Sequence, residues 1–491
     1  MNAVSSDLSR YSIGDLPCTS YIEGAFIPAA GAPTHPTFDP ASGEVLAAVA
    51  IASSDTVAEA IASSARALRV WRSKLPAERA RMLMAVARLI RRDAETLARI
   101  ESLDSGKPLR EARGDIETSA RYFEYYAGVA DKFEGTSIPL GEQFFSFTLR
   151  EPVGVTAHII PWNFPLVTTA RGVAPALAAG CTAVVKPAEQ TPLSALLLGP
   201  LMHEAGIPPG VYNVVVGTGA VTGEALVSHP GVAHVTFTGS VKTGKRVMRG
   251  AADHVASVTL ELGGKSPLVV LADADIDAAI EGTLKAIFTN AGQVCSCGSR
   301  LVVEKAIAPE LTERIVSAAR AMKAGRGLDN PDLGPLVSAA QLKTVSGYVV
   351  AGMSRGLEAL CGGKRMDVPG LENGWFFEPT LLLCPDARDA VAQEEIFGPV
   401  LAVQIADNYD DAVQLANGTD FGLVAGIYSR DVGKVLRFAR DVDAGQVFIN
   451  QFFAGGVETP FGGTRNSGFG REKGLAAMQN YSRIKTVTAR L

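Results

Sequence analysis

From about residue 150 onward, short apolar runs rich in β-formers alternate with runs of helical character. This alternation constrains the fold more than any other feature of the 491 residues. The first set of apolar runs is "VGVTAHII", "TAVVKP", "VYNVVV", "AHVTFTG", "SVTLEL" and "PLVVL". Between them, helices are expected at about 166–178, 192–205, 220–228 and 240–251. Apolar strands joined through helices build parallel sheets covered on both faces. The alternation resumes after residue 265 with "RLVVE", "EPTLLL", "VLAVQIA", "VAGIYS" and "GQVFIN". The expected class is therefore α/β, with two doubly wound parallel-sheet domains that meet near "ELGGKSP". Upstream, residues 54–104 read as helices, with Ser54 and Asp55 as N-cap candidates and a break at Leu75-Pro76. Leu83, Val86, Ile90 and Leu97 recur at helical spacing and mark a buried face. "FFSFTLRE" and "SRIKTVTARL" alternate apolar and polar residues, as strands outside the main sheets suited to pairing in an assembly.

Composition narrows the function classes. The chain is 47% hydrophobic and 20% charged, a globular balance with room for two or three domains. A net charge of −5 gives no general attraction to nucleic acid or anionic membrane. No run of about 18 apolar residues suggests a membrane span. The opening "MNAVSSDLSRYSIGD" lacks a basic segment followed by an apolar one, so no signal peptide is expected. Six scattered cysteines form no disulfide framework and suggest a reducing cytoplasm. The six histidines do not cluster and no CxxC or HExxH occurs, so no metal site is expected.

Several loops carry candidate chemistry, each with a plainer alternative. "NAGQVCSCGSR" holds Cys295 and Cys297 one residue apart. A thiol works as a nucleophile only as thiolate, and its free pKa is about 8.5. Cys295 reads either as that nucleophile or as a small buried hydrophobe, and its spacing from Cys297 suggests a reversible disulfide as a redox lock. In "IIPWNFP", Asn163 stands at a strand's carboxyl end, where an amide could donate to a developing oxyanion or cap the following helix. Lys186 and Glu189 of "VVKPAEQTP" suit the hydroxyls of a ribose, or form a surface ion pair. "VVVGTGAVTG", with Gly217, Gly219 and Gly223, approaches GxGxxG with its last gap one residue long, and reads as a phosphate loop or a tight turn. "FTGSVKTGK" places Gly239 and Ser240 before a helix whose N-terminus could receive a phosphate. Glu261 of "LELGGKSP" ends an apolar strand, where burial raises a carboxyl pKa and makes a general base; the alternative is a solvated hinge acid. "EEIFGPV" and "PFGGTRNSGFGRE" are Gly-rich loops carrying Glu395, Phe397 and Glu472, readable as lids or substrate walls.

Together these stretches resemble the aldehyde dehydrogenase superfamily: "PWNFP", "KPAEQTP", "FTGS", "ELGGKSP", "GQVCSCGSR", "EEIFGPV" and "PFGG…SGFGRE" come in its order and cover nearly the whole chain. The resemblance implies an NAD-binding domain over 1–130 and 151–261, a catalytic domain over 262–470, and a small β oligomerisation arm over 131–150 and 471–491. It implies a homodimer or homotetramer. It assigns Cys295 as nucleophile, Asn163 as oxyanion-stabilising amide, Glu261 as general base and Glu472 as proton-relay acid. On the cofactor side it implies Lys186 and Glu189 at the adenosine ribose, Ser240, Gly219 and Gly239 near the pyrophosphate, Trp162 bordering the cofactor, and Glu395 and Phe397 around the nicotinamide. Glu261 favours water over coenzyme A as acyl acceptor, and Glu189 favours NAD over NADP.

The expected activity is oxidation of an aldehyde to its acid with reduction of NAD, through a cysteine thiohemiacetal and a thioester hydrolysed by water. The substrate residues expected are Arg171, Phe164, Glu458 and Phe461. Succinic semialdehyde dehydrogenases carry an arginine at the place of Arg171, but their second arginine, six residues before the nucleophile, is Thr289 here. Arg171 reads otherwise as a structural ion pair, and the acid Glu458 with it argues against a plain dicarboxylic semialdehyde. A polar or charged aldehyde is therefore expected, with the succinic semialdehyde type, an amino- or betaine-type aldehyde and an aromatic aldehyde as alternatives. A thiol esterase and a non-catalytic structural relative are the competing classes.

Overall fold

The structure is a computed structural model and describes residues 16–491. The expected absence of a signal peptide falls on residues outside that range.

The first sheet has eight strands, in the order Ala25–Phe26, Tyr21–Ile22, Tyr212–Val214, Thr182–Lys186, Val155–Ile159, His234–Thr238, Ser257–Glu261 and Gly468–Phe469. Its five central strands are parallel. Numbered along the chain they lie in the order 3-2-1-4-5, the doubly wound arrangement. The order reverses between Val155–Ile159 and His234–Thr238, and a crevice opens there at the strands' carboxyl ends. Both edges are antiparallel, which the sequence pattern did not disclose.

Strand after strand is wholly buried because helices cover both faces. The helix Pro165–Ala179 is mostly apolar, Arg171 being its one charged residue, and 12 of its residues are buried, as suits a helix sandwiched between layers. Its other neighbours are the N-terminal helices Ser54–Ser73, Pro76–Arg92, Ala94–Ser105 and Leu109–Val129. Trp71 fixes the contact, its indole Nε1 donating to the Leu177 carbonyl at 3.0 Å. Two details differ from expectation. The first cap is Ser53, which accepts from Thr56 N at 3.2 Å. The helical region also runs past residue 104: after the turn at Gly106 (φ 81°), Ala112, Ile116, Ala120, Phe123 and Ala127 repeat the buried spacing.

The second sheet has seven strands, in the order Glu358–Cys361, Thr380–Leu383, Val400–Ala406, Arg300–Glu304, Pro267–Val270, Val424–Tyr428 and Gln446–Ile449. All pairs are parallel except the first, which forms an antiparallel edge. "ELGGKSP" links the two sheets, leaving the first at Glu261 and entering the second at Pro267. A third sheet joins Ser482–Arg490 to Phe144–Pro152 over nine residue pairs, with Ser137–Ile138 at its side. The expected boundaries shift slightly. The arm strand runs to Pro152, and Gly468–Phe469 pairs with Ser257–Glu261 of the first sheet. The chain thus returns from the second sheet to the first, carrying the "PFGG…GFGRE" loop between them.

Candidate active site

Cys295 lies between the helix Ile276–Phe288 and the strand Arg300–Glu304. On the way, Asn290 (φ 49°), Ala291 (φ 53°) and Gly292 (φ 73°) are all left-handed. The two non-glycine residues cost roughly 1–2 kcal/mol each, so the surroundings must hold them. Asn290 N donates to Glu111 Oε2 at 2.9 Å, and Asn290 Nδ2 to the Asn163 carbonyl at 3.2 Å. Gln293 Nε2 donates to the Asn290 carbonyl at 3.0 Å, while its Oε1 accepts from Val337 N at 2.9 Å. The result is a stiff turn that delivers Cys295 to a cavity of about 220 Å³. Cys297 points instead into the core of the second domain. Both are free thiols.

Around that cavity stand Trp162, Asn163, Gly239, Ser240, Glu395 and Phe397. Asn163 is buried, and its Nδ2 donates to the Gln293 carbonyl at 2.8 Å. An amide has two N–H donors, and the second has no partner among the described residues. Gly263 and Gly264 must be glycine here. A Cβ on Gly263 would stand 2.2 Å from Glu395 Oε2, and one on Gly264 would stand 2.4 Å from the Cys295 carbonyl. Gly264 N donates to Glu395 Oε1 at 2.9 Å, and burial lifts that carboxyl to about 7. Phe397 adopts φ 59°, held by Gln341 Nε2 donating to its carbonyl at 2.8 Å, and its ring meets Trp162 edge-on at 5.1 Å.

A second cavity, about 310 Å³, lies farther along the same crevice. Glu189, Thr218, Gly219, Gly223, Thr243 and Arg246 line it. Lys186 Nζ reaches Glu189 Oε2 at 3.5 Å and donates to the Pro187 carbonyl at 2.9 Å; burial lowers its pKa. Ser240 caps the helix Val241–Ala252, accepting from Thr243 N at 3.3 Å. Of the residues expected at a cofactor, Trp162, Gly239, Ser240, Glu395 and Phe397 line the first cavity, Glu189 and Gly219 line the second, and Lys186 stands beside Glu189.

Behind Cys295 lies a nest of buried charge. Neither carboxyl oxygen of Glu261 has a hydrogen-bond partner among the described residues. Burial, reinforced by the nearby Glu472, raises its pKa well above the carboxylate range. Glu472 is ion-paired with Arg171. Burial draws the Arg171 guanidinium down, and Glu472 more than offsets it. Arg171 Nη2 also donates to Thr238 Oγ1 at 3.2 Å, and its guanidinium lies 5.5 Å from the Phe461 ring. Burial lifts the Cys295 thiol to about 12, with Arg171 pulling the other way. Phe164 lies under Lys107, whose Nζ is 4.4 Å from its ring. Glu458 stands apart at the surface, bonded to Arg121 at 2.7 Å.

Some supports had no signal in the sequence. Lys107 is fully buried between Glu101 and Asp115, and Glu101 Oε2 accepts from Leu166 N at 3.3 Å at the start of the helix after Asn163. Glu111 and Gln341 likewise act from distant helices. They are ordinary polar residues locally, and only the tertiary fold brings them to the site.

A doubly wound crevice that ends on a cysteine is the setting of a nucleotide-dependent oxidoreductase. The comparisons with known proteins agree. The family model described as "Aldehyde dehydrogenase family" matches residues 26–487, and the chain belongs to that family. It is similar to betaine aldehyde dehydrogenase of Bacillus subtilis (strain 168), 41% identical over 476 residues and 96% of each chain. It is also similar to hydroxyisobutyraldehyde dehydrogenase of Mycolicibacterium austroafricanum, 42% identical over 474 residues, 96% of this chain and 93% of the other. Among solved structures, betaine aldehyde dehydrogenase of Staphylococcus aureus in complex with NAD+ superposes with a TM-score of 0.95 at 36% identity, covering 97% of this chain and 95% of that one.

Proposed function

We propose that the protein oxidises a polar or charged aldehyde to its carboxylic acid, with NAD as acceptor and Cys295 as nucleophile. The observation that carries this reading is the position of Cys295 in one cavity with Asn163, Glu395 and Phe397, at the end of the doubly wound crevice. The residues present fit a dinucleotide. Glycines at 219 and 223 let backbone approach phosphates, while Lys186 and Glu189 offer partners for ribose hydroxyls. The Glu189 carboxylate would repel a 2′-phosphate, which favours NAD over NADP. Trp162, Gly239, Ser240, Glu395 and Phe397 would hold the nicotinamide half.

Cys295 gives its proton to solvent and, as the thiolate, attacks the aldehyde carbon. The oxyanion formed takes hydrogen bonds from Asn163 Nδ2 and from the backbone N–H of Cys295. NAD bound in the crevice supplies the acceptor for the hydride that leaves this adduct, which becomes a thioester on Cys295. Glu261, as carboxylate, then takes a proton from a water that attacks the thioester; the product departs as carboxylate and the water's second proton restores the thiol. Glu472, held by Arg171, passes the proton taken by Glu261 outward. Two separate groups are needed because a soft nucleophile makes the adduct and a base must later activate water.

The exposed apolar residues of the third sheet, Phe145, Leu149 and Ile484, fit an arm that pairs subunits into a homodimer or homotetramer. No helix among the described residues is long and apolar enough to cross a membrane, and free cysteines fit a cytoplasmic setting. The test is Cys295→Ala, which should lower NADH production by more than about 10⁴-fold while a NAD titration followed by calorimetry stays as in the parent. Retained NADH production would remove Cys295 from the nucleophile's place.

A further inference from the structure

The charge behind Cys295 does not balance. Arg171 and Glu472 are paired and cancel. Burial raises the pKa of the Glu261 carboxyl and of the Cys295 thiol. Two cations there have no carboxylate at ion-pair distance among the described residues: Arg471, whose Nη1 donates to the Gly463 and Gly470 carbonyls at 2.9 and 2.7 Å, and Lys473, whose ammonium has no such carbonyl partner. Its Nζ lies 5.4 Å from the Phe461 ring, and the Arg171 guanidinium lies 5.5 Å from the same ring. Lys473 forms no ion pair with a carboxylate among the described residues. Its backbone is left-handed at φ 62°, a costly conformation for a lysine. It is fixed by the chain on either side, where Glu472 and Phe461 exchange backbone hydrogen bonds at 2.7 Å and Gly474 N donates to the Val457 carbonyl at 2.8 Å. A half-buried ammonium on a fixed backbone, beside the expected substrate ring and with no carboxylate at ion-pair distance among the described residues, lacks a direct partner that a ligand can supply.

We propose that Lys473, rather than the ion-paired Arg171, is the cation that selects aldehydes carrying a carboxylate. The inference rests on the aldehyde-oxidising function proposed above and names its substrate class: a short aldehyde with an anionic far end. The same charge disfavours a trimethylammonium aldehyde, although one relative bears that substrate's name. The groups facing Lys473 are Arg171 from the helix Pro165–Ala179, Glu261 from its strand, Cys295 from its loop, Glu472 from its own segment, and Glu458 from the loop beyond Val457. Burial lowers the Lys473 pKa to about 8, Arg171 adding to the effect while Glu472 opposes it. The site therefore attracts anions below about pH 8 and loses that attraction above it.

The experiment measures kcat/KM with NAD for succinic semialdehyde and for butanal, in the parent, Lys473→Gln, Lys473→Arg and Arg171→Gln. Calorimetry with succinate reads the same site without turnover. In Lys473→Gln, the ratio of kcat/KM for the anionic over the neutral aldehyde should fall at least about tenfold, as loss of a charge-assisted contact predicts. The loss should lie in KM, succinate binding should weaken in parallel, and Lys473→Arg should restore both. Equal losses for both aldehydes in Lys473→Gln, or a ratio that collapses only in Arg171→Gln, would overturn the proposal. If the parent oxidises neither aldehyde nor any other with NAD, the functional reading itself fails.

Discussion

Asn163 shows how much rests on single atoms. Its amide is held against the Gln293 carbonyl at 2.8 Å, two residues before the nucleophile. Asn163→Ala should lower kcat by roughly 10²–10³-fold, measured at saturating aldehyde, with circular dichroism matching the parent. Asn163→Asp should be at least as damaging, because a carboxylate accepts where an N–H must donate. Glu261 makes a pH argument. Its folded pKa lies well above the ordinary carboxylate value because of burial and then Glu472. As a base it must be deprotonated, so thioester hydrolysis should speed up as pH rises through that raised pKa and fade below it. The single-turnover deacylation rate against pH reads this directly, and Glu261→Gln should flatten the profile. Asn163 and Glu261 stand out in the sequence because each closes a strand-to-loop stretch, and Cys295 because it is a cysteine in a loop of small and polar residues. What the sequence withheld was the state of each group: that Arg171 is committed to Glu472, and that Glu458 pairs outward with Arg121 rather than facing the thiol.

At the scale of elements, the site depends on helices that never touch substrate. The helix Pro165–Ala179 must begin directly after Asn163, and the buried Lys107–Glu101–Asp115 group helps fix that start, with Glu101 accepting from Leu166 N. Lys107→Met should cost about 3–5 kcal/mol, as loss of one partner leaves two buried carboxylates uncompensated. Equilibrium urea unfolding followed by tryptophan fluorescence measures it. Glu111→Gln, which weakens the hold on the left-handed Asn290, should cost less in stability and more in kcat, because it loosens the turn that aims Cys295. The strands were readable because apolar runs of four to seven residues bounded by Gly and Pro leave few alternatives. The helix Leu109–Val129 went unread because Gly106 and Pro108 look like an exit from helical structure, while the buried spacing resumes only at Ala112. The antiparallel edges were hidden for a different reason: Tyr21–Ile22 and Gly468–Phe469 are two residues long, too short for any periodicity.

Across the whole molecule, the chain passes between the two sheets through "ELGGKSP" and the returning loop of residues 460–472, and Gly264 of the first link abuts the Cys295 carbonyl. The first sheet carries the crevice, the loop before the strand Arg300–Glu304 delivers the thiol, and the returning loop brings Glu472. The third sheet adds exposed apolar residues, Phe145, Leu149 and Ile484, whose only sequence signal was an alternation of apolar and polar residues. Phe145→Glu together with Ile484→Glu should shift the mass found by light scattering toward that of a single chain. The central claim is that oxidation proceeds through an acyl group bound to the sulfur at 295. It is tested most directly by mixing Glu261→Gln with aldehyde and NAD, quenching in acid, and measuring intact and peptide masses. The account predicts that the chain gains the mass of one acyl group, located on the peptide at Cys295, with one NADH formed per site. NADH formed over many turnovers with no adduct, or an acyl group found on Cys297, would contradict it.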